Sequence, residues 1–276
     1  YKRQVARGSS RSTDSNAVYS VVNNSGIEWI VLGDENGQIK ITTKDIVQPT
    51  SGGYNSNQTK YMLFGAKQES YANFVNELNN ASAVYGKGKY ADTTKFSTSG
   101  GRSFKMEDLG YTFTRTAKYK YARHSDGKVY RYAANATVDG TSTTGGSYTT
   151  FNYMAFDVST TTEETTSSHT WKSLSTTANS YVTMYQYTYS GSRTLSTEVS
   201  KADTHYWLAS RYLVCNNNNV GYYARFISTV GSNGNNVLCN SYGNSYNYNY
   251  GVRPVVYLKS DIQLSYDSSS GYTIGG

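Results

Sequence analysis

Residues 205–264 read HYWLASRYLVCNNNNVGYYARFISTVGSNGNNVLCNSYGNSYNYNYGVRPVVYLKSDIQL. Two segments of strand type, His205 to Arg211 and Gly251 to Leu258, enclose a stretch written in another alphabet. Between Cys215 and Tyr250, 36 residues hold 11 asparagines, with Tyr, Ser and Gly supplying most of the rest. Tyr gives large, rigid contact area with few torsions, and Ser, Gly and Asn give adaptable hydrogen bonding, as in antibody paratopes. Asn forms strands poorly and favours turns and left-handed backbone. The expectation is therefore a set of recognition loops held by flanking strands that carry Trp207, Leu208, Phe226, Ile227, Val255, Val256 and Leu258. A low-complexity Asn-rich loop without a ligand is the alternative.

Within the stretch, shorter strands are expected at Tyr222–Ile227 and Val237–Cys239, with Ala224, Phe226, Val237 and Leu238 as core. Arg225 and Arg253 read as scaffold residues paired with a carboxylate such as Asp203 or Asp261. The contact candidates are Asn216, Asn217, Asn218, Asn219, Asn233, Asn235, Asn236, Asn240, Asn244, Asn247 and Asn249. The anchors among them are Tyr222, Tyr223, Tyr242, Tyr246, Tyr248 and Tyr250, since Tyr is enriched at binding hot spots. The alternation YNYNY over 246–250 puts one set inward and the other outward. Pro254 lacks an N–H donor and belongs at a strand start or a bulge.

Upstream, Ile27–Leu32 reads as a strand, Asp34-Glu35-Asn36-Gly37 as a hairpin turn, and Ile39, Ile41 and Thr43 as the returning strand. Tyr61–Phe64 is a short buried segment. Residues 67–85 are the best helix, with Tyr71, Phe74, Val75, Leu78 and Tyr85 on one face beside Ala81 and Ser82. Gly86 and Gly88 end it. A second short helix is expected at Met106–Leu109, closed by Gly110. The block 111–200 is rich in Thr, Ser and Tyr. Strands are expected at 111–123 and 128–138 around the hairpin dipeptide Asp126-Gly127, at 148–158, and at 181–189. In the last of these, Tyr181, Thr183, Tyr185, Tyr187 and Tyr189 alternate with Val182, Met184 and Gln186. The block reads as a β-rich insertion in one domain, a separate subdomain being the alternative.

The whole chain bounds these readings. Its 276 residues can bury a large core, and 37% hydrophobic with 14% aromatic composition is not that of a disordered chain. Tyr- and Thr-rich, Pro-poor composition suits strands with one wet face, so a mostly β domain with one or two helices is expected. The net charge of +7 is modest and scattered, apart from Lys2, Arg3, Arg7 and Arg11 and a smaller group at Lys118, Lys120 and Arg123. No stripe interleaves these with aromatics, so nucleic acid is not the expected partner. No apolar run reaches the roughly 18 residues that a membrane span needs. The chain begins at Tyr1 without an initiator Met, and a processed or truncated protein is expected, joined to a membrane only through a segment upstream. Cys215 and Cys239 stand either as a disulfide or as two buried free thiols.

The chemistry of catalysis is missing. A hydrolase needs a nucleophile, a base and an orienting group. The three histidines, His124, His169 and His205, sit in a hairpin turn, after a Ser/Thr loop and before a strand. There is no Gly-x-Ser-x-Gly and no phosphate loop, and Glu163-Glu164 reads as a solvated loop pair. No CxxC or His/Cys cluster suggests a metal. The expectation is a protein that is not an enzyme and has no cofactor.

IEWIVLG, the helix ending in Val84-Tyr85-Gly86, YWLASR and GVRPVVYLKSDIQL together resemble the variable proteins of diversity-generating retroelements over residues 18–265, most closely over 205–264. That resemblance implies an α+β, C-type-lectin-like fold with mostly antiparallel strands. Residues 25–276 would form that domain, with the β-rich insertion at about 111–200 and the variable region at about 215–250. In such proteins adenines of a template repeat are substituted during error-prone reverse transcription. Asn codons then yield Tyr, Ser, Gly, Asp and His. The fold also occurs in formylglycine-generating enzymes, which use a cysteine pair, but Cys215 and Cys239 lie inside the Asn-rich stretch. Calcium-dependent sugar binding in C-type lectins uses Glu-Pro-Asn or Gln-Pro-Asp with Trp-Asn-Asp, and none of these triplets occurs here. Residues 1–24 resemble the segment that follows the hydrophobic helix of type IV pilin-like proteins, through Tyr-x-x-x-Val-Ala-Arg and Ser-Thr-Asp-x-Asn-Ala. They imply a helix remnant. The functional expectation is a ligand-binding protein displayed outside the cell, on a bacterial surface, a filament or a phage virion. Its partner would be a variable protein or cell-surface ligand. A pilin-like filament subunit that self-assembles, or a phage tail receptor-binding protein, is the alternative.

Overall fold

The structure is a computed structural model. It describes residues 5–6, 27, 29–47, 61–65, 68–88, 90–96, 100–140, 147–148, 155–156, 171–172, 177, 180–191, 205–215, 220–228, 233–240, 247–267 and 271–275. In chain order the elements begin with β1 (Val5–Ala6), β2 (Trp29–Glu35), β3 (Gln38–Thr43), β4 (Tyr61–Gly65) and helix α1 (Gln68–Ala83). A middle block follows: β5 (Gly101–Ser103), β6 (Thr112–Arg123), β7 (Val129–Ala133), β8 (Ser147–Tyr148), β9 (Ala155–Phe156), β10 (Trp171–Lys172) and β11 (Tyr181–Ser190). The last section holds β12 (Tyr206–Cys215), β13 (Val220–Ile227), β14 (Asn233–Asn240), β15 (Asn247–Gly251), β16 (Pro254–Tyr257), β17 (Gln263–Asp267) and β18 (Gly271–Gly275). The protein is mainly β, with antiparallel sheets and, among the described residues, one α-helix. None of its described helices is long and apolar enough to cross a membrane.

The strands form a seven-stranded sheet in the order β17-β18-β1-β2-β3-β16-β5, a five-stranded sheet β14-β13-β12-β15-β4, a four-stranded sheet β11-β6-β7-β8, and the pair β10-β9. The β2–β3 hairpin turns on Asn36 and Gly37, both at positive φ (56° and 78°), as a tight two-residue turn demands. Helix α1 buries Tyr71, Phe74, Val75 and Leu78 completely. The ring of Phe74 meets Phe64 at 4.7 Å and Trp207 at 5.4 Å, edge to face. Trp207 also donates its indole N–H to the Met62 carbonyl at 2.9 Å, so α1, β4 and β12 close around one aromatic cluster. Residues 84–86 continue α1 as a 3-10 turn, and Met106–Leu109 is a second one, ended by Gly110 at φ 84°. Pro254 opens β16, where its missing donor is harmless.

The block expected as an insertion adds Tyr121, Val129, Val182, Met184 and Tyr187 to the same cluster as Trp207 and α1. In β11 the side chains do not alternate as the sequence suggests. A register shift between Met184 and Tyr185 changes the phase, so Val182 and Met184 point inward and then Tyr187, not Gln186. At the N-terminus, the described pair Val5–Ala6 is a strand bonded to β2 and β18, not part of a helix. The rest of the expected helix over 1–24 lies outside the described residues, as does most of the strand expected at 148–158.

One buried ion pair ties the larger sheet together. Arg102 Nη1 and Nη2 donate to the two carboxylate oxygens of Asp108 at 2.6 and 2.7 Å, and Lys40 Nζ lies 3.2 Å from Asp108. Although burial alone would raise it, Arg102 and Lys40 hold the Asp108 carboxyl well below the usual range.

Candidate binding surface

The Asn-rich stretch contributes two paired strands that extend the shorter ones expected at 222–227 and 237–239, so that Asn233, Asn235 and Asn236 lie in a strand where a loop was expected. β13 is bonded to β12 on one side and to β14 on the other, and β14 carries Asn233, Asn235, Asn236 and Asn240. Ladder hydrogen bonds come from the backbone, so an Asn side chain costs little there once neighbouring strands fix the register. Asn216 to Asn219, Tyr242, Asn244 and Tyr246 lie outside the described residues, as do the side chains of Val237, Leu238, Cys239, Asn240 and Asn247.

Strand alternation sorts the rest onto two faces. Val220, Tyr222 and Ala224 are fully buried on the α1 side, with Tyr222 against Tyr71 at 5.2 Å, edge to face. Tyr222 was expected as a contact residue and is instead core. Phe226 packs half-buried on the same side, over Gly234, where an added Cβ would meet its ring at 2.4 Å. The opposite face carries Tyr223, Arg225 and Ile227. Asn235 is opposite Arg225 and Asn233 opposite Ile227, and directly opposed residues share a face. Asn235 is exposed, while Tyr223 and Asn233 are half-buried. Asn233 Nδ2 donates to the Tyr111 hydroxyl at 2.8 Å.

The YNYNY alternation resolves in β15. Tyr248 and Tyr250 are opposite Phe64 and Met62, and both pack half-buried against the α1 core; Asn249 points to the other face. Tyr250 stacks on His205 at 5.0 Å and lies 4.5 Å from Trp207 and 4.9 Å from Phe226. Asn236 Nδ2 donates to the Tyr250 hydroxyl at 2.6 Å. Burial raises the Tyr250 phenol above its ordinary value, and the Asn236 hydrogen bond opposes this. A partly exposed aromatic patch of His205, Phe226, Tyr248 and Tyr250 therefore lies beside Asn236.

Cys215 is a free, buried thiol that donates to the Tyr185 carbonyl at 3.2 Å. Burial pushes it up to about 12. It is opposite Val220 on β13, whereas Cys239 on β14 is opposite Tyr222. One strand thus separates the two cysteines, roughly 9.6 Å at about 4.8 Å per strand spacing. A disulfide needs Cα atoms within about 7 Å, so of the two alternatives the disulfide does not form.

Among the described residues neither Arg225 nor Arg253 is paired with a carboxylate. Arg253 donates through Nε to the Thr43 carbonyl at 2.9 Å and lies over the Tyr206 ring at 4.9 Å. Arg225 sits over the rings of Tyr212 at 4.0 Å and Tyr189 at 5.4 Å. Asp261 is exposed, and Asp203 lies outside the described residues. This cage of Tyr111, Tyr189 and Tyr212 was not legible in the sequence, because its members come from distant strands. Among the described residues no group of three His, Cys, Asp or Glu side chains could hold a metal.

Comparisons with protein-family models, with curated proteins and with solved structures returned no match. The surface is therefore defined by its own geometry: a paired-strand platform with Tyr222 and Ala224 in the α1 core on one face, and on the other Ile227 buried in a second core cluster with Tyr223 and Asn233 half-buried and Asn235 exposed.

Proposed function

We propose that this is a surface-displayed ligand-binding protein. It presents a diversified Asn/Tyr/Ser surface on a C-type-lectin-like scaffold, acting as an adhesin or receptor-binding protein. The observation that carries the reading is the division of labour within one strand pair. Tyr222 and Ala224 serve the core, while Tyr223, Asn233 and Asn235 face away from α1 on a backbone-bonded ladder. Such a ladder keeps its shape while its outer side chains change, which is what a sampled recognition surface requires. The Asn-rich vocabulary matches adenine-directed substitution of Asn codons.

The test is the DNA around the gene together with binding by the purified chain. A near-copy of the segment encoding 215–250, differing at adenines and next to a reverse transcriptase gene, is expected. Its differences should fall at codons 223, 233, 235 and 236 and spare 222 and 224. A panel of bacterial surface proteins should yield a partner whose binding Tyr223→Ala with Asn235→Ala weakens at least tenfold while the melting temperature falls by no more than about 6 °C. A flanking locus without a repeat removes the diversification. Binding unaffected by both substitutions removes the surface. Self-association of the chain into filaments through these residues would favour the filament-subunit reading.

A further inference from the structure

We infer that Arg225, with Tyr111, Tyr189 and Tyr212 around it, is a carboxylate-binding subsite that takes an acidic side chain of a protein partner. The inference rests on the reading of the β13–β14 face as a binding surface and names the chemistry that this face selects. Arg225 is only 8% exposed, yet its guanidinium makes no hydrogen bond or ion pair with any described residue, and its Nε is among the buried polar atoms without a partner. The other buried arginines are handled differently. Arg102 is forked onto Asp108, Arg253 donates to Thr43, and Arg211 Nε donates to the Tyr71 carbonyl at 3.3 Å. Among the described residues, ring faces attend Arg225: Tyr212 at 4.0 Å and Tyr189 at 5.4 Å. Rings stabilise the cation through their faces but cannot accept its in-plane N–H groups.

A desolvated guanidinium without a counter-charge is costly, and the planar fork suits a carboxylate, which accepts two parallel N–H bonds. The surroundings supply a further donor. Tyr111 already accepts from Asn233 Nδ2 at 2.8 Å, so its own O–H is left to donate. Exposed Asn235, directly opposite Arg225 on edge strand β14, marks the solvent side of the site. Burial holds the Arg225 guanidinium below its ordinary value, in keeping with a charge that has no anion beside it among the described residues. The chain's net charge of +7 favours approach of an acidic segment.

The probe is glutarate, titrated into the full 15N-labelled chain at constant ionic strength while the Arg225 Nε–Hε NMR signal is followed. That signal is assigned by its loss in Arg225→Lys. A saturable shift in the millimolar range is expected with glutarate, and none with chloride. Tyr111→Phe should weaken the effect several-fold with an unchanged melting temperature. Equal linear shifts with glutarate and chloride would overturn the subsite, and tighter binding of inorganic phosphate than of glutarate would overturn its assignment to carboxylates. Should Arg225→Lys fail to fold, Tyr111→Phe and the anion series decide alone. Glutarate binding with no protein partner would sink the proposed function and leave the subsite standing. A partner that binds through Tyr223 and Asn235 without glutarate binding would do the reverse.

Discussion

Tyr222→Ala tests whether β13 has been read in the right register. Tyr222 is fully buried, and its ring meets Tyr71 of α1 at 5.2 Å, edge to face. Truncating a buried aromatic to Ala costs about 3–5 kcal/mol, part of it the lost ring pair. At about 2–4 °C per kcal/mol for a domain of this size, the melting temperature should fall by roughly 6–20 °C. Its neighbour Tyr223 is half-buried and touches Tyr212 at 5.8 Å, so Tyr223→Ala should cost only about 1 kcal/mol. Asn235→Ala, at an exposed position, should stay within about 0.5 kcal/mol. Scanning calorimetry with urea unfolding would rank the three. A one-residue slip of β13 would exchange its faces and invert the first two. The reasoning fails if Tyr223→Ala destabilises more than Tyr222→Ala, or if Tyr222→Ala lowers the melting temperature by less than about 3 °C.

Asp108→Asn should cost about 3–5 kcal/mol by urea unfolding at pH 7, because it leaves the buried Arg102 without its anion. The Asp108 carboxyl is depressed in the folded state, so its stabilisation is full above the unfolded value of about 3.9 and is lost as pH falls below it. The gap between the natural protein and Asp108→Asn should therefore narrow between pH 4 and 2. With its thiol pushed up to about 12, Cys215 is protonated at pH 8. In a Cys239→Ser background, mass spectrometry should find it unalkylated by iodoacetamide in the native state and fully alkylated in guanidinium. The triple change Tyr223→Ser, Asn233→Ser, Asn235→Ser should leave the chain folded, with a circular dichroism spectrum like that of the natural sequence. The double change Tyr222→Ser, Ala224→Asn should not.

What the sequence made legible was governed by local rules. The β2–β3 hairpin was readable because Asn36-Gly37 is a dipeptide that tolerates positive φ at both positions. Helix α1 was readable because Tyr71, Phe74, Val75 and Leu78 recur at helical spacing and all four are buried. Features that depend on pairing were not readable. The bulge at Met184/Tyr185 in β11 leaves no mark in an alternating Tyr/Thr run, so the inward position passes to Tyr187. Tyr222 and Tyr223 are chemically identical neighbours, and only the ladder to β12 and β14 decides which is core. Asn propensity suggested a loop before Val237, but Asn233, Asn235 and Asn236 pair along β13, whose partner β12 is largely buried. Distance in sequence also concealed the Arg225 cage and made the Cys215–Cys239 bond look feasible.

The same pairing explains why a recognition surface can sit on a strand instead of a loop. A loop holds its shape through its own side chains, so changing them changes the shape. In β14 the shape is fixed by backbone bonds to β13, and β13 is fixed by Tyr222 and Ala224 packing on the α1 side. Outer side chains then influence stability mainly through strand propensity, which spans about 1 kcal/mol per site. An inner aromatic costs several times that. A domain stable by about 5–15 kcal/mol therefore tolerates several simultaneous changes at positions such as 223, 233 and 235, but hardly more than one at 222 or 224. Arg225 breaks this pattern, since it lies on the outer face yet is nearly buried among rings. Ile227 on the same face is buried in the second core cluster and is explained by folding; Arg225, held there at an electrostatic cost, is the element of the face best explained by a ligand.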